Sequence, residues 1–237
     1  MNRVFCAFAL IFMPALVAVA QQSPNQAVKD TTAVVDSMYR EDQFYFGVTY
    51  NLLTAAPDQV KLRGFSGGMR VGFIRDMPIN AKRNIAVGVG LGLGFNRFGN
   101  TLAINQTNGE TSYSVLSEDI TFDSNRFSTA HVEVPLEFRW RSSTAESYKF
   151  YRLYGGLTVS YHYWDRATFV QDGTRFKTNG VSGFNPIQME ASLLFGYNTI
   201  NFYAAYTLTP FFDGTTGETQ QEVGFQPLKL GILFYFL

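Results

Sequence analysis

Few side chains in this sequence are suited to nucleophilic or acid–base chemistry. The only histidines are His131 and His162, and Glu133 and Ser160 each lie two residues from one of them. Residues two apart in a strand share a face, so the spacing is compatible with a Ser–His–Glu arrangement for acyl transfer or hydrolysis. Two histidines without further ligands make no convincing metal site. We therefore predict no catalytic residue, no metal and no cofactor, and interpret both histidines as ordinary polar residues.

These residues lie in segments with a strict period of two, clearest in residues 131–141, HVEVPLEFRWR. Val132, Val134, Leu136, Phe138 and Trp140 alternate with polar or charged residues. Such a strand has one apolar and one charged face. A soluble sandwich would turn the apolar face toward a second sheet, whereas an outer-membrane barrel would turn it toward lipid and the charged face toward a polar lumen.

The rest of the chain favours the barrel. The predicted strands are residues 44–52, 65–73, 85–95, 131–141, 151–163, 187–197, 200–208 and 227–237. Shorter connections (75–84, 142–149, 198–199) alternate with long ones rich in Gly, Asn, Thr and Asp (96–129, 165–186, 209–226). Short periplasmic turns opposite long extracellular loops are typical of outer-membrane barrels. We predict an all-β fold, an eight-stranded antiparallel up-and-down transmembrane β-barrel over residues 44–237, with both termini periplasmic.

The N-terminal residues are typical of a secretory signal peptide, predicted over residues 1–20. Arg3 precedes an apolar run that ends in Ala18-Val19-Ala20, and the single cysteine, Cys6, would be removed with it. Residues 21–43 are predicted to form a periplasmic N-terminal extension. No later segment approaches ~18 consecutive apolar residues, the length of a transmembrane helix. The net charge of +0 gives no indication of a nucleic-acid partner.

The predicted strands direct seven charged side chains into the lumen: Arg70, Glu133, Glu137, Arg139, Arg152, Glu190 and Lys229. An eight-stranded barrel is just wide enough inside for its own side chains, and buried charges require partners. We therefore predict an internal salt-bridge network in which Arg70 reaches Glu137 or Glu133 across the inward glycines of the third strand. A gated path for ions or solutes is the alternative. Pro135 predicts a bulge or local opening of the sheet.

Three segments carry a resemblance to a known family: residues 72–80 (GFIRDMPIN), 133–141 (EVPLEFRWR) and 231–237 (GILFYFL). They resemble the PorT-like outer-membrane barrels of Bacteroidota, a porin-like group whose namesake is implicated in type IX protein secretion. The resemblance implies a non-enzymatic accessory of outer-membrane secretion or assembly machinery. Its partners would be outer-membrane lipid and other outer-membrane or periplasmic proteins. A small pore or ligand-binding barrel is the alternative, and a lipid-modifying enzyme is the third hypothesis.

Overall fold

The computed structural model describes residues 41–107, 109–117, 119–142, 151–217 and 221–236. The predicted signal peptide and residues 21–40 of the predicted extension lie outside the described residues. Residues 41–43, which were also assigned to the extension, are the first three residues of the first strand. Within the described part of the chain, no helix is long and apolar enough to cross a membrane.

The described residues form eleven strands: β1 Glu41–Leu52, β2 Gly67–Pro78, β3 Ile85–Gly99, β4 Leu102–Thr107, β5 Glu110–Val115, β6 Ser124–Arg141, β7 Tyr151–Gln171, β8 Thr174–Asn179, β9 Ile187–Tyr197, β10 Ile200–Thr207 and β11 Leu228–Phe236. Eight of them pair antiparallel in the order β6-β3-β2-β1-β11-β10-β9-β7, and the β6–β7 pairing closes the ring. The predicted eight-stranded barrel is therefore confirmed.

The two faces of the barrel wall differ as the period of two requires. Along β3, Leu91 and Leu93 are 60% and 52% exposed, whereas the alternate inward positions Gly90, Gly92 and Gly94 are half-buried or buried. The same contrast is present in β1, where Phe44, Phe46, Val48 and Tyr50 point outward and Gln43, Tyr45 and Asn51 are buried. A continuous apolar outer wall is the surface that an outer-membrane barrel presents to lipid.

The inward glycines of β3 make room for large side chains of other strands. A Cβ atom at Gly88 would lie 2.7 Å from Nε of Arg139, and one at Gly94 would collide with the His131 ring. At Gly92 the added atom would collide with the Tyr45 hydroxyl. The space beside these glycines is therefore filled, so even a serine at Gly92 is expected to disturb the lumen.

Of the bulge or local opening predicted at Pro135, the structure shows the local opening. Val89 pairs with Leu136 and Gly92 with Glu133, so the β3–β6 ladder lacks two pairs beside Pro135 but keeps its register. The register shift lies at Ala130/His131, where Ala130 pairs with Trp164 and His131 with His162. The proline thus opens the ladder locally, because it has no N–H to donate, and the bulge lies closer to the long loops.

The end of the barrel that carries the long connections has a hydrophobic core of its own. We call this end the long-loop end, and the opposite one, with the turns at 79–84 and 198–199, the short-turn end. The core, called the cap below, consists of Phe98, Leu102, Ile104, Tyr113, Phe127, Ala167, Val181, Phe211, Phe212, Val223 and Phe225. In this core, the long-loop ends of β3, β6 and β7 pack against β4, β5 and the connections before β9 and β11.

A charge on the outer wall should be costly. Leu91→Arg is expected to destabilise the inserted barrel by about 2–4 kcal/mol, the cost of a cation near the middle of a lipid-facing strand. Leu91→Met keeps the apolar surface and should change stability little. Heat-modifiable gel mobility and denaturant unfolding of the refolded variants measure both. Equal stability of the arginine and methionine variants would show that Leu91 does not face lipid.

Candidate functional site

The part of the lumen nearer the long-loop end, called the upper part below, is organised around the carboxylate of Glu133. Arg70 on β2 donates from Nη2 and Nε to Oε1 at 2.8 and 3.0 Å, and the Tyr45 hydroxyl donates to the same oxygen at 2.6 Å. Nε2 of His131 lies 3.3 Å from Oε2. Arg70 also hydrogen-bonds Tyr203 on β10. This upper cluster therefore ties together strands β1, β2, β6 and β10 across the barrel.

A second ion pair lies beside the upper cluster. Lys229 on β11 contacts Glu190 on β9, and the Thr207 hydroxyl lies 3.4 Å from the same carboxylate oxygen. Both pairs line a cavity of about 10 Å³. A cavity of roughly 10–15 Å³ holds about one water molecule. The space left between the two ion pairs is therefore water-sized.

A separate group, the lower cluster, lies toward the short-turn end and centres on the buried guanidinium of Arg139. Its Nε contacts Oε2 of Glu137 at 2.9 Å, and its Nη1 contacts Oδ1 of Asp76 at 3.3 Å. Asp76 also pairs with Arg141 at 2.8 Å. The guanidinium lies 4.6 Å from the ring centre of Tyr154, within cation–π range. Carboxylates and an aromatic face thus replace the hydration of a buried cation.

Apolar and tyrosine side chains fill the lumen beside these clusters. They form one buried group: Tyr45, Ile74, Tyr154, Leu194, Tyr203, Ala205, Leu233 and Tyr235. At the long-loop end, the cap contacts the lumen directly, because the His162 ring packs 5.9 Å from Phe211 of the cap and 5.5 Å from Phe184, which packs against the cap. The described interior is consequently occupied by ion pairs, tyrosines and the residues of the cap.

Comparison with known families agrees with this architecture. Residues 19–217 match the family described as outer membrane protein beta-barrel domain. The chain belongs to this outer-membrane β-barrel family. The match covers β1 to β10 and ends before β11. No curated protein matches the chain. Outer-membrane localisation follows from the family, whereas the PorT-like resemblance and the periplasmic termini stay predictions.

The seven predicted lumen charges all lie on the inner face of this outer-membrane barrel. In the described part of the chain, six of them form ion pairs: Arg70, Glu133, Glu137, Arg139, Glu190 and Lys229. Arg152 donates to the backbone carbonyl of Asn198. Of the two partners proposed for Arg70, the structure gives Glu133, while Glu137 contacts Arg139 instead.

Several members of the network were missed from the sequence. Asp76 lies on an extension of β2 that was predicted to be a turn, and it forms ion pairs with both Arg139 and Arg141. Continuing the inward alternation of Arg70 and Gly72 through Ile74 would have reached it. Tyr45 and Tyr203 were also missed, since tyrosine in such a barrel more often indicates the membrane interface.

The histidines come together without forming a catalytic triad. The His131 and His162 rings stack with centroids 4.6 Å apart, and Oγ of Ser160 lies 3.4 Å from Nε2 of His162. In a triad, one imidazole contacts both the nucleophile and the acid. Here Glu133 contacts His131, whereas Ser160 contacts His162, and all four side chains are buried. Among the described residues, no group of three or more His, Cys, Asp or Glu is placed to hold a metal.

One tyrosine of the cap has a shifted pKa. Burial, with a smaller effect of the Asp213 carboxylate, raises the pKa of Tyr113 to about 12. The hydroxyl therefore stays protonated at physiological pH and donates to the carbonyl oxygen of Ser182 at 3.3 Å. This bond connects the β4–β5 hairpin to the connection before β9.

Proposed function

We propose that this chain is a closed, non-enzymatic outer-membrane barrel that acts as an accessory of outer-membrane protein secretion or assembly machinery. The supporting observation is the occupied lumen. The ion pairs, the tyrosine-rich core and the cap leave a cavity of about 10 Å³ between the two upper ion pairs. Activity would then depend on the outer wall, the turns and the loop surface.

The filled lumen favours this role over the small pore. A conducting path would have to separate Arg70 from Glu133 and Lys229 from Glu190, and each separation would leave buried charges without partners. It would also have to displace Phe211 and Phe184 from above His162. The closed state is thus stabilised by ion pairs inside the lumen and by apolar contacts between His162 and the aromatic rings at the long-loop end.

The arrangement of polar residues gives no support to the lipid-modifying enzyme. Ser160 is 3% exposed and His162 is 4% exposed, beneath the aromatic rings of the cap. A lipid substrate approaching from the membrane would meet the apolar outer wall and not this hydroxyl. The class of machinery, by contrast, rests on the PorT-like resemblance of residues 72–80, 133–141 and 231–237.

A deletion strain tests the proposed role. Loss of the chain should reduce export or surface display of other proteins, and the native barrel should co-purify with outer-membrane or periplasmic partners. His162→Ala, which leaves the outer wall unchanged, should complement the deletion. A deletion strain with normal export would contradict the proposal. A His162→Ala barrel that inserts normally but does not complement would favour the enzyme.

A further inference from the structure

A row of cations lies on the outer face of the barrel wall at the long-loop end. Phe127 and Ala167 point inward into the cap, so the residues next to them in β6 and β7 point outward. In one outward row, Arg126 of β6 pairs with Thr168 of β7, which in turn pairs with Lys177 of β8. In the next outward row, Ser128 of β6 pairs with Arg97 of β3 on one side and with Arg166 of β7 on the other. Arg175 lies one row beyond, opposite Val170. The basic patch thus consists of Arg97, Arg126, Arg166, Arg175 and Lys177.

These cations have no anionic partner in the described part of the chain. None of the five forms an ion pair with a described carboxylate, and the Nε of Arg97 is buried without a hydrogen-bond partner there. Arg126 lies beyond the predicted membrane-spanning part of β6 (131–141). Its burial and the like charges of Arg97 and Arg175 lower its pKa. Among the described residues, the patch is therefore a concentration of positive charge without a neutralising carboxylate, which favours binding of an anion.

The patch adjoins the lipid-facing wall directly. Arg166 lies 4.9 Å from the ring of Trp164, and that ring stacks on Phe95 with centroids 6.2 Å apart. Below Arg97 an apolar groove of about 660 Å³ runs along the outside of the wall, lined by Val48, Tyr50, Phe65, Met69, Phe95 and Arg97 itself. Aromatic residues of this kind mark the level of lipid headgroups in outer-membrane barrels.

We propose that the basic patch and the groove together bind a lipid that carries phosphate on its headgroup. The planar arginine side chains match the geometry of phosphate oxygens, and the apolar groove beneath Arg97 accepts an acyl chain. The occupant is a membrane lipid and not a soluble anion, because the charges lie at the top of a lipid-facing wall and continue into an apolar groove. This inference rests on the barrel's membrane location and not on the proposed accessory role.

Lipid titration of the refolded barrel in phosphatidylcholine nanodiscs tests this site. Bisphosphorylated lipid A is the probe, and dephosphorylated lipid A with the same acyl chains is the control lipid. Arg126→Gln/Arg166→Gln should weaken binding of the phosphorylated probe about 30-fold. Each cation near a membrane surface raises the affinity for an anionic lipid about fivefold, and the variant removes two of them. Lys61→Gln/Lys82→Gln removes the same charge elsewhere and should leave binding unchanged within about twofold.

The charge-retaining variant Arg126→Lys/Arg166→Lys should bind more tightly than the glutamine variant, and added salt should weaken binding by the wild type. Heat-modifiable mobility verifies that each variant is folded. Equal affinity of the wild-type barrel for the phosphorylated and dephosphorylated lipids would overturn the proposal without any variant. So would equal loss of binding in the patch variant and the Lys61/Lys82 variant.

Discussion

Arg70→Met is expected to destabilise the barrel by about 3–5 kcal/mol, the typical cost of removing one partner of a buried ion pair. Among the described residues, the substitution leaves the Glu133 carboxylate, 2% exposed, with only the Tyr45 hydroxyl and the His131 ring as close polar partners. Methionine fills much of the space of the arginine stem, so the loss of stability comes mainly from the removal of the positive charge. Denaturant unfolding in detergent measures the change in the free energy of unfolding.

A double-mutant cycle identifies the partner of Arg70. Adding Glu133→Gln removes the uncompensated carboxylate, so the double variant should lose clearly less stability than the sum of the two single losses. Arg70→Met with Glu137→Gln is the matched control. These two losses should add within about 0.5 kcal/mol, because Glu137 contacts Arg139 and belongs to the lower cluster. Additive losses for Arg70 and Glu133, or strong coupling between Arg70 and Glu137, would contradict the described pairing.

Phe211→Ala should destabilise the cap by about 3–5 kcal/mol, the usual cost of deleting a buried phenylalanine ring. Phe211 is fully buried, and its ring lies 5.3 Å from Phe98 and 5.8 Å from Phe225. Amide hydrogens of β4 and β5 should consequently exchange roughly two to four orders of magnitude faster. Strands β9 and β10 belong to the barrel wall and should keep their protection.

Phe176→Ala is the control for the cap, because Phe176 is 58% exposed on β8. A surface change of this kind should alter stability by no more than about 0.5 kcal/mol. Hydrogen exchange followed by mass spectrometry compares the two variants. Unchanged exchange of β4 and β5 in Phe211→Ala would show that the cap is not a packed unit. Equal acceleration in β9 and β10 would show that cap and barrel unfold together.

The barrel strands were predictable because lipid and lumen impose opposite polarities on alternate residues. Strand β9 matches the predicted residues 187–197, where the alternation is unbroken. Strands β6 and β7 extend beyond their predicted ends. The bulge opposite Ala130 and His131 shifts the alternation of β7, so the pattern predicted from residues 151–163 does not continue in phase toward the long-loop end. The short strands β4, β5 and β8 lie in this region and follow no lipid-facing pattern.

The site was predictable as a set of positions but not as a set of contacts. Alternation places Arg70 and Glu137 on the inner face, but the partner of each depends on the stagger between strands, which periodicity does not contain. The cap was missed for a related reason. Phe211 and Phe225 lie in a connection rich in Gly and Thr, and they pack against residues more than a hundred positions away, such as Phe98.

The closed lumen is tested most directly by recording the current through wild-type barrels in planar bilayers. Insertion is verified independently by heat-modifiable mobility of protein recovered from the membrane. We expect no steady conductance, because the upper cluster, the lower cluster and the cap occupy the interior. Arg139→Ala combined with Phe211→Ala should raise the conductance above that of the wild type. A high and steady conductance of the wild-type barrel would contradict the closed lumen and favour the small pore.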